Sequence, residues 1–540
     1  MSQFTEDLAI TLSLTIDGQA YTIAAANVKS LTLDLHAYGY NAEVSFIVYC
    51  ESTADTLLTP ITSNNLIAVS LQVATYINNS QGTVTPLSLS GLVTTRRFTE
   101  QLLTLPSGDI MLHRHYHLVF ADPAQVLWKQ HYPCDLLVDS TLKAFITAHT
   151  PTQITMVYDW DAVLTVQYPV LSLSLGSPLN QACFYDYLIW LVDSQNGVFS
   201  YDFTANQYTL SAAKNQSGVA LSLNPLEVSG FQVNLSEVHR FQPNVLNAYS
   251  ENPQTTAITN AAVTTTIRRD YIARYPIAAD MQSRVTLETA RFQQHCHEVR
   301  VDYQHFQLQV TPPGQLVNFQ GSTLWNSLLF IQANNYRVKQ WQLTVHAADQ
   351  ELMTDLNMVY SQYVMEHNLI LEGSAELCVS LPSYMMPSYP VFVEGKLVSE
   401  TGEDTDMTYQ FYTDSNTSVN YYKVSIPLWT KQNVRADYQP NQDGGQFYFP
   451  PYKNARVLIG LGFNYAFIDS FLDWGTGTAL PMDSQGNQLV MGKSATSQNI
   501  IKHNYVDSKA ELQIQRTQDK DTELLQFSDG YILLQTLQGS

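Results

Sequence analysis

Basic residues are scarce in this 540-residue chain: 27 Lys and Arg stand against 48 Asp and Glu, a formal charge of -21. A nucleic-acid surface needs a basic patch that neutralises phosphate, and no stretch of the sequence supplies one. Charge of either sign is thin, at 14% of residues where about a quarter is usual. Much of the surface must therefore be Ser, Thr, Asn, Gln and Tyr, which suits β-structure and wide subunit contacts. Cysteine is sparse as well. Cys50, Cys134, Cys183, Cys296 and Cys378 are odd in number, scattered and without a CxxC pair, which argues against a disulfide framework and predicts free buried thiols. No apolar run is long enough to span a membrane. The opening MSQFTEDLAITL carries Glu6 and Asp7 where a secretory signal needs positive charge followed by an apolar run. The expectation is a product made and first folded in the cytosol.

What is present is alternation. Hydrophobic residues at 45%, aromatics at 11% and 32 tyrosines are values for a globular, strand-rich chain of about three to five domains. LAITLSLTIDGQAYTI is two alternating runs joined at Asp17-Gly18, a strong hairpin signal. LTLDLHAY, NAEVSFIVYC, IAVSLQVATYI and LSLSGLVTTRRFTE continue the period of two, so residues 1–105 read as a first β-barrel. Residues 106–240 read as an α+β unit: a turn at Asp122-Pro123, a helix over Ser140–Ala148 capped by Ser140 or Asp139, and a helix capped by Asn180 and ended by Gly197. The hairpin VFSYDF/QYTLSA closes that unit. Residues 241–384 read as a second β-barrel region, interrupted by a helix over Thr286–His297. The Pro-rich PSYMMPSYP is a linker, and five strands in residues 385–486 predict a small barrel of OB type.

The tail, residues 487–540, is a strand series with nothing of its own to cover it. Ala510, Leu512 and Ile514 alternate with polar residues, as do Leu525 and Phe527, while Tyr531, Leu533, Gln535 and Leu537 share one face. Polar reversals (RTQDKDTE, then SDG) separate the runs. A short strand series is not stable alone, so one reading wraps identical tails from several chains into an intertwined β-helix. The other is an ordinary antiparallel meander packed on the preceding domain. On the first reading Leu512, Ile514, Leu525, Phe527, Leu533 and Leu537 make the contacts between chains.

Signals for chemistry are few. GNQLVMGKS has five residues between Gly486 and Gly492 where a phosphate-binding loop has four, and strands surround it where a helix must follow. His113, His115 and His117 fall on one face of a strand and are weak candidate metal ligands; His295, Cys296 and His297 form a second cluster. Glu298 beside His297 is not an HExxH arrangement, and no GxSxG elbow or Cys-His constellation stands in a supporting context. The span between Trp474 and Ala510 is too short for a lysozyme domain, and it holds no carboxylate pair in a helical setting. No catalytic residue, cofactor-binding residue or cofactor is expected.

From Tyr421 the residues YYKVSIPLWTKQ, then GGQFYFPPYKNARVLIGLGFNYAFIDSFLDWG, resemble the OB-domain signature of VgrG, the hub and spike of type VI secretion systems. Phe447–Pro451, Ala455–Gly460 and Ile468–Trp474 occupy the family's strand and turn places, and NIIKHNYVDSKAELQIQ resembles its neck into a trimeric β-helix. More weakly, RFTEQLLTLPSGDIMLHRHYHLVFADPAQVLWKQ and SPLNQACFYDYLIWLVDSQNGVFSYDF match the hub. GFNYAF replaces the family's Gly-Asp-Pro type of turn, and the tail is short, a layout closer to the spike of extracellular particles such as the antifeeding prophage and the Photorhabdus virulence cassettes. The resemblance implies a mainly β protein with two hub barrels, an α+β insert, an OB barrel and a short trimeric needle. It further implies a non-enzymatic, homotrimeric baseplate hub and cell-puncturing spike, made in the bacterial cytoplasm and assembled at the distal end of an injection particle that is released extracellularly. Its partners would be an inner-tube ring, a PAAR-type tip at the C-terminus and other baseplate proteins, with a target membrane met only on puncture. The rival functions are a spike-borne envelope hydrolase or metal-dependent enzyme, supported only by the histidine strand, and a trimeric tail fibre that binds a receptor.

Overall fold

The computed structural model describes residues 4–50, 55–76, 84–104, 108, 110–275, 277–293, 297–348, 357–404, 410–415, 420–430, 432–437, 453–472, 487–494 and 496–539. The chain is mainly β. It forms two compact units, one of Met1–Tyr132, Thr150–Ala162 and Ala182–Met386, the other of Pro133–His149, Val163–Gln181 and Pro387–Ser540. Among the described residues no helix is long and apolar enough to cross a membrane.

The first unit is built on one 13-stranded sheet. Phe4–Ile16 turns through Asp17 and Gly18, both at positive φ, into Gln19–Ile23, as the Asp-Gly signal predicts. Strands from Val28–His36 to Ile110–Ala121 then pair antiparallel as neighbours around a circuit. Two 13-residue strands of much later sequence, Asn335–Ala347 and Ser361–Gly373, close it: the first pairs with Val28–His36, the second with Phe4–Ile16, and they pair with each other. Each also reaches past the circuit. Asn335–Arg337 pairs with Leu316–Asn318, and His367–Glu372 pairs with His297–Tyr303, which in turn pairs with Val228–Leu235. The two regions read from sequence as separate barrels thus share two long strands of one sheet, because thirteen alternating residues are enough to serve two groups of strands end to end.

The alternation decides the core. Leu8, Leu12, Leu14, Leu31, Val44, Leu118 and Trp341 are at or near zero exposure. Asp122 is fully buried at the start of the helix Pro123–Trp128, where it accepts hydrogen bonds from the Tyr40 and Gln125 backbone NH groups at 3.0 and 3.1 Å and from the Tyr208 hydroxyl at 2.5 Å. Burial raises the Asp122 pKa, and these donors oppose the rise. Gly39, at φ +148°, brings the chain so close that a Cβ would lie 2.3 Å from the Asp122 carboxylate.

The helices differ in their ends from the sequence reading. Thr141, not Ser140 or Asp139, caps Leu142–Ala148, because the preceding strand runs through Thr141 and its hydroxyl accepts from the Ala144 NH. The next helix is Phe184–Ser194, with Cys183 and not Asn180 at its N-cap, where the Asp186 carboxylate accepts from the Cys183 NH at 3.0 Å. Phe184, Leu188, Leu191 and Val192, which recur at helical spacing, are buried, and so are Tyr185, Tyr187 and Ile189. Gly197 is required by the Trp160 ring, which a Cβ would meet at 2.2 Å. The expected helix Thr286–His297 is Ala278–Arg291; its Met281 packs with Val245 and Ile258, and His297 already begins a strand. Asp280 in the first turn and Arg291 in the last suit the helix dipole, a signal visible in the sequence. Of the cysteines, Cys183 is buried but Cys134 is exposed and Cys378 half-buried, which corrects the expectation of buried thiols. Burial raises the Cys183 pKa to about 11. Cys296 lies outside the described residues, as does the Cys50 side chain.

In the second unit Val391–Val398, Asn420–Ile426, Gln432–Asp437, Ala466–Phe471 and Arg456–Leu461 pair in that order, and the last returns to the first to close a five-stranded barrel. Gly395 lets it close: a Cβ there would stand 2.4 Å from Val424. Two pieces of the 106–240 stretch belong to this unit. The antiparallel strands Cys134–Thr141 and Gln167–Ser174 put Leu136 and Val170 into the barrel's own apolar cluster with Val424, Val434 and Ile459. Phe447–Pro451 and Trp474 lie outside the described residues.

Candidate functional site

The C-terminal residues form a sheet of their own, the antiparallel strands Asn487–Ser494, Ser497–Val506, Lys509–Gln518, Asp521–Ser528 and Tyr531–Leu537 in sequential order. The last three connections are two-residue turns, Asp507-Ser508, Asp519-Lys520 and Asp529-Gly530, with positive φ at Asp507, Ser508, Asp519 and Gly530. Such turns fix register, and register fixes faces. Directly paired residues share a face, so Leu489–Ile501–Ile514–Leu525–Leu534 form one row across all five strands. Beside it runs His503–Leu512–Phe527–Ile532. In the single chain this face is open: Leu512 is 37%, Ile514 42%, Ile532 67% and Leu534 81% exposed.

The reverse face is mostly polar. The Glu511 carboxylate, itself 8% exposed, accepts from Gln513, Gln526 and Ser528 at 2.7, 2.6 and 2.7 Å. Of the six contact residues read from the sequence, Leu512, Ile514, Leu525 and Phe527 come together on the apolar face. Leu533 pairs with Gln526 and Leu537 with Thr522, so both lie on the other. Sequence reading missed Ile501, Ile532 and Leu534. The signal that finds them is the Asp529-Gly530 turn: it sets Ser528 opposite Tyr531 and therefore Phe527 opposite Ile532.

The histidine strand has another character. His113, His115 and His117 do share one face of Ile110–Ala121, yet each has its own surroundings. His113 lies 3.1 Å from the Met111 sulfur, and His117 lies 3.1 Å from a Glu43 carboxylate oxygen. Burial lowers the pKa of His113 and of His115. Among the described residues no group of three or more His, Cys, Asp and Glu side chains is placed to hold a metal ion. His295 and Cys296 lie outside those residues, as does Gly486 of the GNQLVMGKS stretch. His297 stacks edge-on against Phe330 and Tyr336.

Two cavities open in the first unit. One of about 260 Å³ is lined by Ser229, Arg300, Asp302, Glu366 and Asn368, with His367 beneath. The other, of about 200 Å³, is lined by Asn224, Glu227, Gln307 and Leu308. Arg300 is committed to Asp302 at 2.9 Å, and Glu227 accepts from Asn224 at 3.0 Å. Neither cavity joins a nucleophile to a base within hydrogen-bond reach.

No protein-family model matches the sequence, and no curated protein matches it. Solved structures do. A chain of the lidless PdpA–VgrG complex superposes with a TM-score of 0.68 at 12% identity, over 99% of this chain and 99% of that one. Its fold is that of VgrG structures. The half-lidded Francisella PdpA–VgrG complex gives a TM-score of 0.68 at 11% identity over 98% of this chain and 88% of that one. In the lidded Francisella complex the TM-score is 0.68 at 12% identity, over 98% and 80%. The VgrG resemblance carried by the sequence after Tyr421 therefore agrees with the fold of nearly the whole chain. At this identity, residue roles do not transfer.

Proposed function

We propose that the protein is a structural hub and spike of a contractile injection system, assembled as a homotrimer. The observation that carries this reading is the apolar face of the C-terminal sheet, where Ile501, Leu512, Ile514, Phe527, Ile532 and Leu534 are left exposed by their own chain. Burying one exposed Leu, Ile or Phe side chain stabilises by about 1.5–3 kcal/mol, so a chain that leaves a row of them in water gains strongly by covering it. Three copies turned inward about a common axis cover all three faces at once and remove the outer edges of each sheet. What results is a stiff prism with its backbone polar groups paired, suited to transmitting axial force.

Above it, the OB-type barrels gather the three chains. The first units, each with a closed strand circuit and a second group of strands of the same sheet built on its two long strands, provide six strand groups in the trimer. That number fits a threefold spike to a sixfold inner-tube ring. A PAAR-type tip at the C-terminal end and further baseplate proteins around the hub complete the assembly, which is made in the bacterial cytoplasm and placed at the distal end of the particle. The neighbour that is matched over 99% of both chains has this chain's length, so the short tail does not require an extracellular particle, and a type VI setting serves equally. A force-transmitting spike needs no active site.

Light scattering on the purified full chain at micromolar concentration tests the reading. The expected mass is three times 60.7 kDa, and removal of residues 494–540 should abolish it. A full chain that remains monomeric would sink the proposal.

A further inference from the structure

The first unit has a strand edge with nothing on it. Leu87–Thr104 pairs with Ile67–Thr75 only through Leu92, and a register shift between Val93 and Thr95 bends it away. Beyond that bulge its inner side stays on Ile110–Ala121, while its outer backbone edge meets no described residue. Thr94–Leu102 are exposed throughout. A second such edge belongs to Val228–Leu235, the terminal strand of the same sheet, paired only with His297–Tyr303. Unguarded edges invite pairing, and soluble proteins ordinarily blunt them.

The two edges match at four apolar positions, while Glu100, already paired with Arg114 at 2.8 Å, would stand opposite Val233. On the first, Phe98 and Leu102 are on the face of Tyr116, which is the core side. On the second, Phe231 and Val233 are on the face of the buried Val301 and Val299. Phe98, Leu102, Phe231 and Leu235 are 39%, 71%, 36% and 77% exposed. An antiparallel pairing that keeps both core sides together sets Leu102 opposite Phe231 and Phe98 opposite Leu235. The same register sets Thr99 opposite Asn234 and Gln101 opposite Gln232 on the polar side. It also brings Arg96 opposite Glu237, two residues past the end of the second strand. Arg96 and Glu237 are exposed, and neither has an ion-pair partner among the described residues. In a chain of net charge -21 Arg96 is drawn to acidic surface in general, and in this register Glu237 sets a carboxylate opposite it.

We infer that Thr94–Leu102 of one protomer pairs antiparallel with Val228–Leu235 of the next, in the register Leu102–Phe231, so that the hub is a ring of sheets joined across subunits. The contact is heterologous: each protomer offers both edges, and three copies close the ring with none left over. This rests on the trimeric reading of the protein and assigns the hub its own contact, separate from the C-terminal sheet.

Cysteine pairing in the full chain tests it. Opposed strand residues stand close enough for a disulfide, and residues offset by two do not. Under mild oxidation Thr99→Cys with Asn234→Cys should give covalent dimers and trimers on a non-reducing gel. Thr99→Cys with Gln232→Cys, and each single variant, should stay at the background of the native thiols. Independently, Arg96→Glu or Glu237→Arg alone should shift the trimer toward dissociation on dilution, and the two together should restore it. If the double-cysteine protein is trimeric by light scattering yet cross-links no more than the single variants, the edge pairing is overturned while the trimer stands. If the unmodified chain is a monomer, both fall.

Discussion

The same alternating pattern meets opposite fates in two regions of this molecule. In Phe4–Ile16 the apolar residues of the pattern, Leu8, Leu12 and Leu14, are at 0% exposure. In Lys509–Gln518 they are Leu512 and Ile514, at 37% and 42%. By period alone the strands are equivalent. What differs is closure: the strands of the first unit belong to a hydrogen-bonded circuit that curls over its own apolar side, whereas the tail is a five-stranded meander whose ends do not meet. Amphipathicity in a strand therefore says that a face will be covered, and topology says by what.

The largest effect expected from breaking this contrast is at the tail. Ile514→Asp puts a carboxylate in the middle of the longer apolar row, where a covered position would bury it without a partner. The chain should fall from trimer to monomer by light scattering while the melting transition of the hub stays where it was. Loss of the hub transition as well would mean that the two regions do not fold independently.

A hub substitution of similar size should behave differently. Leu12→Ala removes a fully buried side chain from a closed core, with an expected cost of about 2–5 kcal/mol, read from denaturant unfolding and independent of protein concentration. Leu534→Ala, at a position 81% exposed in the single chain, should leave the monomer alone and weaken assembly, so its effect should grow on dilution. Equal, concentration-independent losses at both sites would erase the distinction drawn here.

Much of this was legible beforehand, and the misses share a cause. The turns at Asp17-Gly18 and Asp529-Gly530 carry their own chemistry, so the hairpins they make are visible in a few residues. The five-stranded barrel and the buried face of Phe184–Ser194 follow from local period. The closure of the first circuit by Asn335–Ala347 and Ser361–Gly373 does not, because no local feature records a pairing across more than three hundred residues. Likewise Leu136 and Val170 read as part of the unit around them and instead complete the core of a barrel far along the chain. At the tail, alternation grouped six residues, of which the register keeps Leu512, Ile514, Leu525 and Phe527 on one face and sets Leu533 and Leu537 on the other; alternation does not say which of two faces a strand shares with its neighbour, and the turn does.

The core of the first unit carries a pH response of its own. His367 is buried against Tyr303 and Trp341, each ring centroid 4.6 Å away, and its Nδ1 lies 2.8 Å from the Gln342 carbonyl oxygen. Burial lowers its pKa to about 4, against the pull of that hydrogen bond. The folded state keeps the ring neutral, whereas the unfolded chain takes up a proton below about pH 6.5. Hub stability should therefore fall as the pH drops from about 6.5 to about 4, by a total on the order of 3 kcal/mol. His367→Gln, assayed by denaturant unfolding at several pH values, should be less stable at neutral pH and show a flatter profile over that interval. A wild-type profile already flat there would remove His367 from the account.

The smallest effect separates the two faces of the tail itself. Leu533 and Leu534 are neighbours in one strand, and a reading by composition would treat them alike. Leu534 continues the row through Ile514 and Leu525, while Leu533 stands opposite Gln526, whose amide is bound to Glu511. Leu533→Ser adds a hydroxyl to a face that already holds a carboxylate, glutamines and a serine in one hydrogen-bonded group. Its cost to assembly should stay near the few tenths of a kcal/mol usual for surface changes, below about 0.5 kcal/mol. Leu534→Ser removes a side chain from the row that the proposed trimer would cover and should cost several times more, read as a shift in the trimer dissociation midpoint. A larger loss at Leu533 would mean that the polar face is the one turned inward, with Glu511 and its glutamines at the axis.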